Sequence, residues 1–519
     1  MQGGTDMLKK RPIVTYLGFV VAAGLIFFSL YNCQRAAEQR AKKTALLQKS
    51  SGKEVWITVF IHGSFGTLLG LLSLPRVIQD DVIDSLYHQI TKKMRYDQVF
   101  YANQPIREKG LKRIYPSFDQ GAAMNAKIGA YPIIKAYEMI SQVLKPDEIN
   151  FFYTFGWSGL VSQNRRRCES IRLYNSLAQE VERVRLQGFD PKIRLIAHSH
   201  GGNICLNLAA VSTILQTKNF LHSYKFSQNH DESESLDKMF AIVKKLPSRE
   251  NAAVHLGQKR YDYLPFHKNL QIDELILLGT PIQVETEHFV LSPFFKRVYS
   301  LYSEKDVVQE LDWVSTKQRI SRQRFSDGIL EQAKQRAAKN QYPHLTQAKI
   351  IYERALSIPN PKKAGAPVSD DEMNPIKSLW YRILKSKPAQ KDPDHKELWF
   401  FSWANEDSKN KSFVTPLPTA ILVPFVTSAL NLCPTLHDLD LNLTCSNDKI
   451  VGLMHKHGHK YHEASVAMPL APLIVIKEQV RQWNPGLSSE TVELNKTYHY
   501  LSENTATPTT LAQIKNPPL

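Results

Sequence analysis

The sequence predicts an α/β protein: a mostly parallel β-sheet with helices on both faces and large insertions, preceded by one N-terminal transmembrane helix. Three observations support this fold class. Runs of β-branched and aromatic residues alternate with helical segments, which is typical of a parallel sheet covered by helices. Long polar stretches interrupt that alternation. An uncharged segment of twenty residues lies close to the N-terminus, and its length is sufficient to cross a bilayer as a helix.

The uncharged segment, PIVTYLGFVVAAGLIFFSLY, begins at Pro12 and follows three basic residues. It is longer than the apolar region of a cleaved signal peptide and lacks a clear cleavage site, so we predict an uncleaved single-pass anchor over 12–32. A short basic tail precedes the anchor at 1–11, and a basic juxtamembrane linker follows it at 33–53. Because basic residues flank both ends, the positive-inside rule leaves open which side of the membrane carries the rest of the chain.

Beyond the linker, residues 54–484 are predicted to form one α/β domain, followed by a polar C-terminal tail at 485–519. Insertions are expected at about 81–147, 218–270 and 314–397. The first insertion includes a predicted helix, AKIGAYPIIKAYEMISQVL. The third includes a Lys- and Pro-rich segment, NPKKAGAPVSDDEMNP, whose composition favours flexibility.

The strand and helix patterns follow one another along this domain. Two helices are predicted: ESIRLYNSLAQEVERV has apolar residues at helical spacing, and NICLNLAAVSTILQ is apolar nearly all round and is therefore a buried helix. The predicted strands are EVWITVFIHGSFG (54–66), EINFFYTFGWSG (148–159), IRLIAHS (193–199), DELILLGTP (273–281), RVYSLYSEKD (297–306), ELWFFSW (397–403) and HDLDLNLTC (437–445).

Ser199 is the strongest candidate for a functional residue. It lies where the third strand ends and the buried helix begins, in IRLIAHSHGGNICLNLAA. A nucleophilic serine on such a sharp turn has a strained backbone and requires small residues two positions to either side, and here those residues are Ala197 and Gly201. The helix dipole at this turn favours developing negative charge. The alternative is a turn of small residues ahead of a helix, but the position between a strand and a helix favours a nucleophile.

The segment AHSHGG resembles the nucleophile elbows of the α/β-hydrolase superfamily, in particular the GHSHGG and AHSMGG elbows of bacterial triacylglycerol lipases. The resemblance extends, with insertions, from about residue 54 to 465. It implies an α/β-hydrolase fold and a serine hydrolase that acts through a Ser-His-Asp triad without a cofactor. The departure from the usual G-x-S-x-G pattern, an alanine in place of the first glycine, is sterically small.

The resemblance also implies an oxyanion hole made of two backbone N–H groups. One belongs to the residue after the nucleophile, His200. The other is expected from the loop after an early strand, where FIHGSFG resembles the His-Gly loop of lipases. Ser64 is the predicted donor, with Phe65 as the alternative.

The acid and the base are expected later in the chain. Asp306 in VYSLYSEKDVVQ is the predicted acid, with Asp438 or Asp440 as the alternatives. For the base, LMHKHGHKYHEAS offers four histidines after the expected last strand, and His459 is preferred because it follows a glycine. The alternative bases are His455, His457 and His462.

The order Ser199, Asp306, His459 is the one expected for this fold. Four histidines so close together also suggest a metal site, but only Glu463 accompanies them, so no metal is predicted. The two histidines that flank Ser199 are expected to line the pocket or pack, because side chains next to an elbow serine point away from it.

The predicted activity is hydrolysis of carboxylic esters, lipid-like in character, by a membrane-anchored enzyme that forms an acyl-enzyme. The uncharged segments GTLLGLLSL (66–74) and FVTPLPTAILVPFVTSALNL (413–432) support an apolar substrate. The second contains three prolines and is therefore a lid, a membrane-dipping loop or buried packing rather than a transmembrane helix. The alternatives are an acyltransferase or thioesterase with the same triad, or a non-catalytic membrane scaffold.

The charge of the chain agrees with a location at a membrane. A formal net charge of +17 favours anionic partners such as phospholipid headgroups, and no nucleic-acid-binding motif is present, so no nucleic-acid partner is expected. The basic run Arg165 to Arg167 near a helix start is read as a solvated cluster, or as a contact for an anionic headgroup. The natural ester, the oligomeric state and the compartment are not defined by the sequence.

Overall fold

The fold was analysed in a computed structural model. It describes sixteen stretches of the chain: 52–64, 110–114, 131–157, 159, 162–216, 230–247, 263–265, 270–306, 321–352, 392–393, 395, 397–399, 418–446, 449–459, 461–469 and 471–473. The predicted tail 1–11, anchor 12–32 and C-terminal tail 485–519 lie outside these residues. In the part of the chain that is described, no helix combines the length and the apolar character needed to cross a membrane.

A mostly parallel ten-stranded sheet forms the centre of the fold, in the order β12-β11-β10-β9-β7-β5-β4-β1-β3-β2. Strands β4, β5, β7, β9 and β10 run parallel in succession, as do β1 and β3, whereas β2, β11 and β12 pair antiparallel to their neighbours. The strands are β1 Lys53–Ile61, β2 Gly110–Ile114, β3 Asn150–Gly156, β4 Phe189–His198, β5 Ile272–Leu278, β6 Ile282–Gln283, β7 Phe295–Tyr302, β8 Ser321–Arg322, β9 His344–Tyr352, β10 Asp438–Ser446, β11 Lys449–Lys456 and β12 His462–Pro469. The short strands β6 and β8 form a separate pair.

Helices connect the strands, which gives the α/β organisation that the sequence predicts. They are α1 Tyr131–Leu144, α2 Gln163–Leu186, α3 His200–Gln216, α4 His230–Val243, α5 Val284–Glu287, α6 Asp327–Ala338 and α7 Thr419–Leu430, together with a 3-10 helix at His288–Leu291. Strand β5 is buried along its whole length. A strand that is buried on both faces reads as a continuous apolar run, which is why DELILLGTP has strand character without alternation.

The segment 413–432 contributes to the core. Its described part forms helix α7, in which nearly every residue is buried although Pro424 lies inside the helix. Helix α7 packs against α1 and against strands β11 and β12. Of the three interpretations of this uncharged stretch, buried packing is therefore the one that the described residues support.

Three parts of the sheet differ from the prediction. Strand β9 lies inside the insertion expected at 314–397, and it fills a central position between β7 and β10. Residues 397–399 form a turn instead of the beginning of a strand. The hairpin of β11 and β12 follows β10, so the chain continues for two more strands after the expected last one.

The chain divides into two compact units. In the smaller unit, the described residues are 52–54 and 182–190, and the backbone N–H of Gly52 donates to the carbonyl of Gly188 at 2.8 Å. The larger unit comprises 55–181 and 191–519, and every residue of the candidate site below belongs to it.

Candidate active site

Ser199 occupies a sharp turn between β4 and α3. Its φ of 51° lies in the left-handed region, which is strained for a residue with a side chain and is maintained at functional sites by the surrounding structure. Two backbone hydrogen bonds fix the turn: the N–H of Ser199 donates to Leu278 at 2.9 Å, and the N–H of Gly202 donates to Ser199 at 2.9 Å. The structure therefore gives this serine the backbone conformation expected of a nucleophile elbow.

The glycines of the elbow are required by close packing. A Cβ on Gly201 would lie 2.6 Å from the carbonyl oxygen of His62, and one on Gly202 would lie 2.1 Å from Oγ1 of Thr280. A Cβ on Gly63, in the loop after β1, would lie 2.6 Å from Cβ of Ser199. The loop after β1 and the elbow thus approach each other more closely than any side chain would permit.

Trp157, immediately after β3, holds the loop after β1 in place. Its backbone N–H donates to Nε2 of His62 at 3.1 Å, and its indole Nε1–H donates to the carbonyl of His62 at 2.6 Å. The two rings stack with centroids 5.4 Å apart. Because Nε2 of His62 accepts, the proton is on Nδ1, which donates to the carbonyl of Gly63 at 2.7 Å. Both side chains are buried.

The predicted oxyanion donors border this contact. Ser64 directly follows Gly63, and its hydroxyl is buried without a hydrogen-bond partner among the described residues. His200 begins helix α3, where backbone N–H groups lack intrahelical acceptors. Phe65, the alternative donor, lies outside the described residues.

The side chain of His200 points into a polar contact with Arg166. The guanidinium Nη1 donates to Nδ1 of His200 at 3.2 Å, and Nη2 donates to Gln283 at 3.0 Å. Arg166 and Arg167 are almost fully buried, and burial lowers the pKa of Arg167. The interpretation of this basic run as a solvated cluster is therefore wrong for these two residues, because both are enclosed at the start of α2.

Asp306 lies in a tight turn after β7 and is fully buried. Its backbone N–H donates to the carbonyl of Ser303 at 3.0 Å, and its carbonyl accepts from Gln323 at 2.7 Å. The alternative acids have other partners. Asp438 accepts from Arg324 and Gln347, and Asp440 accepts from His457.

The histidine that the structure brings to Asp306 is His395. Its Nδ1 donates to Oδ2 of Asp306 at 2.7 Å, and its side chain is 15% exposed whereas that of Asp306 is completely buried. The ring of His395 lies 4.4 Å, centroid to centroid, from the ring of His198, the residue before Ser199. The chain order of serine, acid and histidine is retained with His395 in place of His459.

His459 does not join this group. It lies in the turn between β11 and β12, where its backbone N–H donates to the carbonyl of Lys456 at 2.8 Å. Strand β11 is three strands beyond β7 in the sheet, which corresponds to about 14 Å at the usual strand spacing.

The alternative bases lie in the same hairpin. His455 is in β11 and its ring meets that of His462, in β12, edge to face, while His457 pairs with Asp440. The described residues do not support the prediction of a base at 455–462, because these histidines lie in the hairpin beyond β10 whereas Asp306 follows β7 and pairs with His395. Among the described residues, no group of three or more His, Cys, Asp or Glu side chains is arranged to hold a metal ion.

Sequence reasoning missed His395 for a definable reason. It lies near the end of the third predicted insertion, 314–397, in KDPDHKELWFF. The sequence feature that could have indicated it is a histidine three residues before an apolar segment. Leu398 and Trp399 of that segment are both in the core. That segment was interpreted as a strand rather than as the support of a loop.

The loop that carries His395 is attached to the core. The N–H of Thr419 donates to the carbonyl of Glu397 at 3.3 Å, and the N–H of Ala420 donates to that of Leu398 at 3.0 Å. These donors belong to the first turn of α7, where N–H groups need partners outside the helix. The start of α7 therefore anchors the chain just after the histidine.

Comparisons with known proteins identified no relative: no protein-family model, no curated protein and no solved structure matches this chain.

Proposed function

We propose that this protein is a serine hydrolase of the α/β-hydrolase superfamily, in which Ser199 is the nucleophile, His395 the general base and Asp306 the residue that orients the base. The observation that carries the proposal is the 2.7 Å hydrogen bond between His395 and the fully buried Asp306. The ring of this histidine lies 4.4 Å, centroid to centroid, from that of His198, the residue before a serine with φ of 51°. A strained elbow serine and a His–Asp pair recur together in enzymes of this mechanism.

The first half of the reaction forms an acyl-enzyme. Nε2 of His395 takes the proton of the Ser199 hydroxyl while Oγ attacks the ester carbonyl carbon. The tetrahedral intermediate collapses, the bond to the alcohol oxygen breaks, and His395 gives its proton to the departing alkoxide. In the second half His395 takes a proton from a water, whose oxygen attacks the acyl carbon. The bond from that carbon to Oγ then breaks, His395 gives the proton to Oγ of Ser199, and the acid leaves.

Asp306 determines which nitrogen of His395 reacts. Because Nδ1 donates to the carboxylate, the proton of the neutral imidazole is held on Nδ1 and the lone pair is left on Nε2. The same carboxylate stabilises the imidazolium that forms during the reaction.

The oxyanion is assigned to the backbone N–H groups of Ser64 and His200. A Cβ on Gly63 would lie 2.6 Å from Cβ of Ser199, so the loop that continues into Ser64 packs closely against the elbow from which His200 begins α3. Fixed donors of this kind stabilise the negative charge that develops on the carbonyl oxygen, and removal of one typically costs about 10²–10³-fold in turnover.

A carboxylic ester with a lipid-like acyl group is the proposed substrate. The support comes from the sequence: the uncharged stretches at 12–31 and 66–74 and the net charge of +17 favour a membrane-anchored enzyme at an anionic surface. Helix α7 supplies no support for a lid, because it is part of the core.

The nucleophile is tested by labelling with a fluorophosphonate, which reacts covalently with activated serines. Wild type is expected to label, and Ser199→Ala to show no labelling. Ser176→Ala is a matched control, because it removes another buried hydroxyl, which bonds the carbonyl of Arg172 at 2.7 Å, and it should label like wild type. Equal labelling of wild type and Ser199→Ala would exclude the proposed nucleophile.

The substrate class is tested with p-nitrophenyl esters of increasing acyl length, with and without anionic vesicles. A lipid-like substrate predicts that kcat/KM rises with chain length. A maximum at acetate would instead define a short-chain esterase, and transfer of the acyl group to an added alcohol or thiol in preference to water would define an acyltransferase.

A further inference from the structure

The ring of His198 contacts two other rings. It is parallel to the indole of Trp399, with 7° between the planes and centroids 5.2 Å apart. It also lies 4.4 Å, centroid to centroid, from the ring of His395, which is tilted by 40°. His198 is 6% exposed and Trp399 is 1% exposed, so the contact between these two rings is buried.

A hydrogen bond joins His198 to the backbone of the proposed base. Nε2 of His198 donates to the carbonyl of His395 at 2.8 Å. A carbonyl can only accept, so the proton of the imidazole of His198 is on Nε2. One side chain thus contacts both the ring and the main chain of the residue that the mechanism uses as base.

We infer that His198 is a positioning residue that holds His395 at Ser199, an inference that rests on the proposed function. Because His198 immediately precedes Ser199 in the chain, its hydrogen bond ties the loop of the base directly to the elbow of the nucleophile. The base is otherwise held at its ring by Asp306 and, a few residues later, by the start of α7. His198 fixes the remaining point, the backbone at His395 itself.

The surroundings of His198 suit this role. Burial, together with the positive charge that His395 carries when protonated, lowers the pKa of His198 well below its usual value, and His62 and His200 act in the same direction. A neutral ring packs against an indole and donates one hydrogen bond without introducing a buried charge. With its Nε2 proton donated to the carbonyl of His395, the histidine before the serine is assigned to positioning and not to proton transfer.

Positioning acts on the chemical step, because a base misplaced by about 1 Å can slow a reaction about 10²-fold. The test compares His198→Gln with His198→Asn. Both have an amide donor, but the glutamine amide reaches about as far as Nε2 of histidine, whereas that of asparagine is one bond shorter. For His198→Asn we expect kcat and the rate of fluorophosphonate labelling to fall about 10–100-fold. For His198→Gln we expect both to fall less than about 5-fold. KM should change less than about 3-fold in both variants.

A second comparison shows whether the effect passes through His395. His198→Phe keeps a ring beside Trp399 but has no donor. It should slow labelling about 10–100-fold in the wild-type background and less than about 2-fold in the His395→Ala background, because residues that act as a unit are not additive. Thermal unfolding of each variant accompanies the kinetics, and only variants whose Tm shows a folded protein at the assay temperature are compared.

Several results would overturn the inference. One is equal activity of the Gln and Asn variants. A second is a wild-type labelling rate for His198→Phe. A third is that His198→Phe slows labelling by the same factor in the His395→Ala background as in the wild-type background. If the Phe variant does not fold, the Gln and Asn pair decides alone. Failure of the proposed function is a different observation, namely that wild type itself does not label or that Ser199→Ala labels equally.

Discussion

The described residues include two His–Asp pairs, and their comparison shows what defines the proposed site. In both pairs, Nδ1 of the histidine donates to the carboxylate at 2.7 Å: His395 to Asp306 and His457 to Asp440. In the first pair the side chains of the histidine and the aspartate are 15% and 0% exposed, and in the second pair 31% and 13%. The hydrogen bond alone therefore does not distinguish a catalytic pair from a structural one.

The environment of the two pairs differs in charge and position. Asp440 also lies 3.7 Å from Lys349, which bridges it to Glu304 at 3.0 Å, so the second pair belongs to a partly solvated ion network of modest energetic weight. Strand β10 is two strands beyond β7, about 10 Å away at the usual spacing. The first pair, in contrast, contacts the residue before Ser199. This contact is the reason why the first pair, and not the second, is assigned to the proposed site.

The largest expected difference is between the two histidines. His395→Ala should reduce kcat by about 10⁴-fold, since the serine loses its base. His457→Ala, the matched control from the second pair, should stay within about 3-fold of wild type. Steady-state hydrolysis of a p-nitrophenyl ester measures both, and a reversed ranking would move the active site to the hairpin of β11 and β12.

A similar contrast is expected between the two aspartates. Asp306→Asn removes the charge and allows the wrong tautomer of His395, so kcat should fall by about 10³–10⁴-fold with little change in KM. Asp440→Asn leaves Ser199 and its base untouched and should retain nearly full activity. The same ester assay applies, and an active Asp306→Asn enzyme would refute the assignment of the acid.

A smaller effect is expected on the oxyanion side. Trp157→Phe keeps an aromatic ring next to His62 but removes the indole donor to the carbonyl of His62. The loop before Ser64 should then be less well fixed, and kcat should fall about 10-fold. Trp56→Phe is the control, because Trp56 lies near the other end of β1 and stacks with Arg194. Equal losses in the two variants would indicate a general effect on β1 instead.

The smallest expected effect concerns Asp392, whose pKa is influenced by Asp440 of the second pair. Burial, followed by the charge of Glu304 and assisted by Asp440, raises the pKa of Asp392. A carboxyl with a raised pKa in the folded state destabilises the fold where it is ionised, so Asp392→Asn should raise Tm at pH 7. The gain should shrink as the pH falls from neutrality through the raised folded-state pKa toward the usual aspartate value, because the wild-type carboxyl then becomes protonated. A gain in Tm that is equal at pH 7 and pH 4 would contradict this origin.

The strands and the sharp turn at Ser199 could be predicted because their signals are local. The predicted strands at 54–66, 148–159, 193–199, 273–281, 297–306 and 437–445 are confirmed as parts of β1, β3, β4, β5, β7 and β10. The elbow was visible because Ala197, Ser199 and Gly201 are close together in the chain. Steric requirements within one turn leave a pattern that can be read directly.

The partner of Asp306 could not be predicted in the same way. The contact with His395 joins residues 89 positions apart, and any later histidine satisfies the order of the motif. Strand β9 was missed because HLTQAKIIY mixes polar and apolar residues, although most of its residues are buried in the sheet. Both errors involve tertiary neighbours, which a local pattern does not specify.

The attachment of the base loop to helix α7 has a consequence for how the protein loses activity on heating. Since the carbonyls of Glu397 and Leu398 accept hydrogen bonds from the first turn of a core helix, we expect the chain next to His395 to unfold together with the core. Thermal inactivation and the loss of tertiary structure should therefore follow one curve when both are recorded on the same sample. The turnover rate then reports the fraction of molecules whose core is folded.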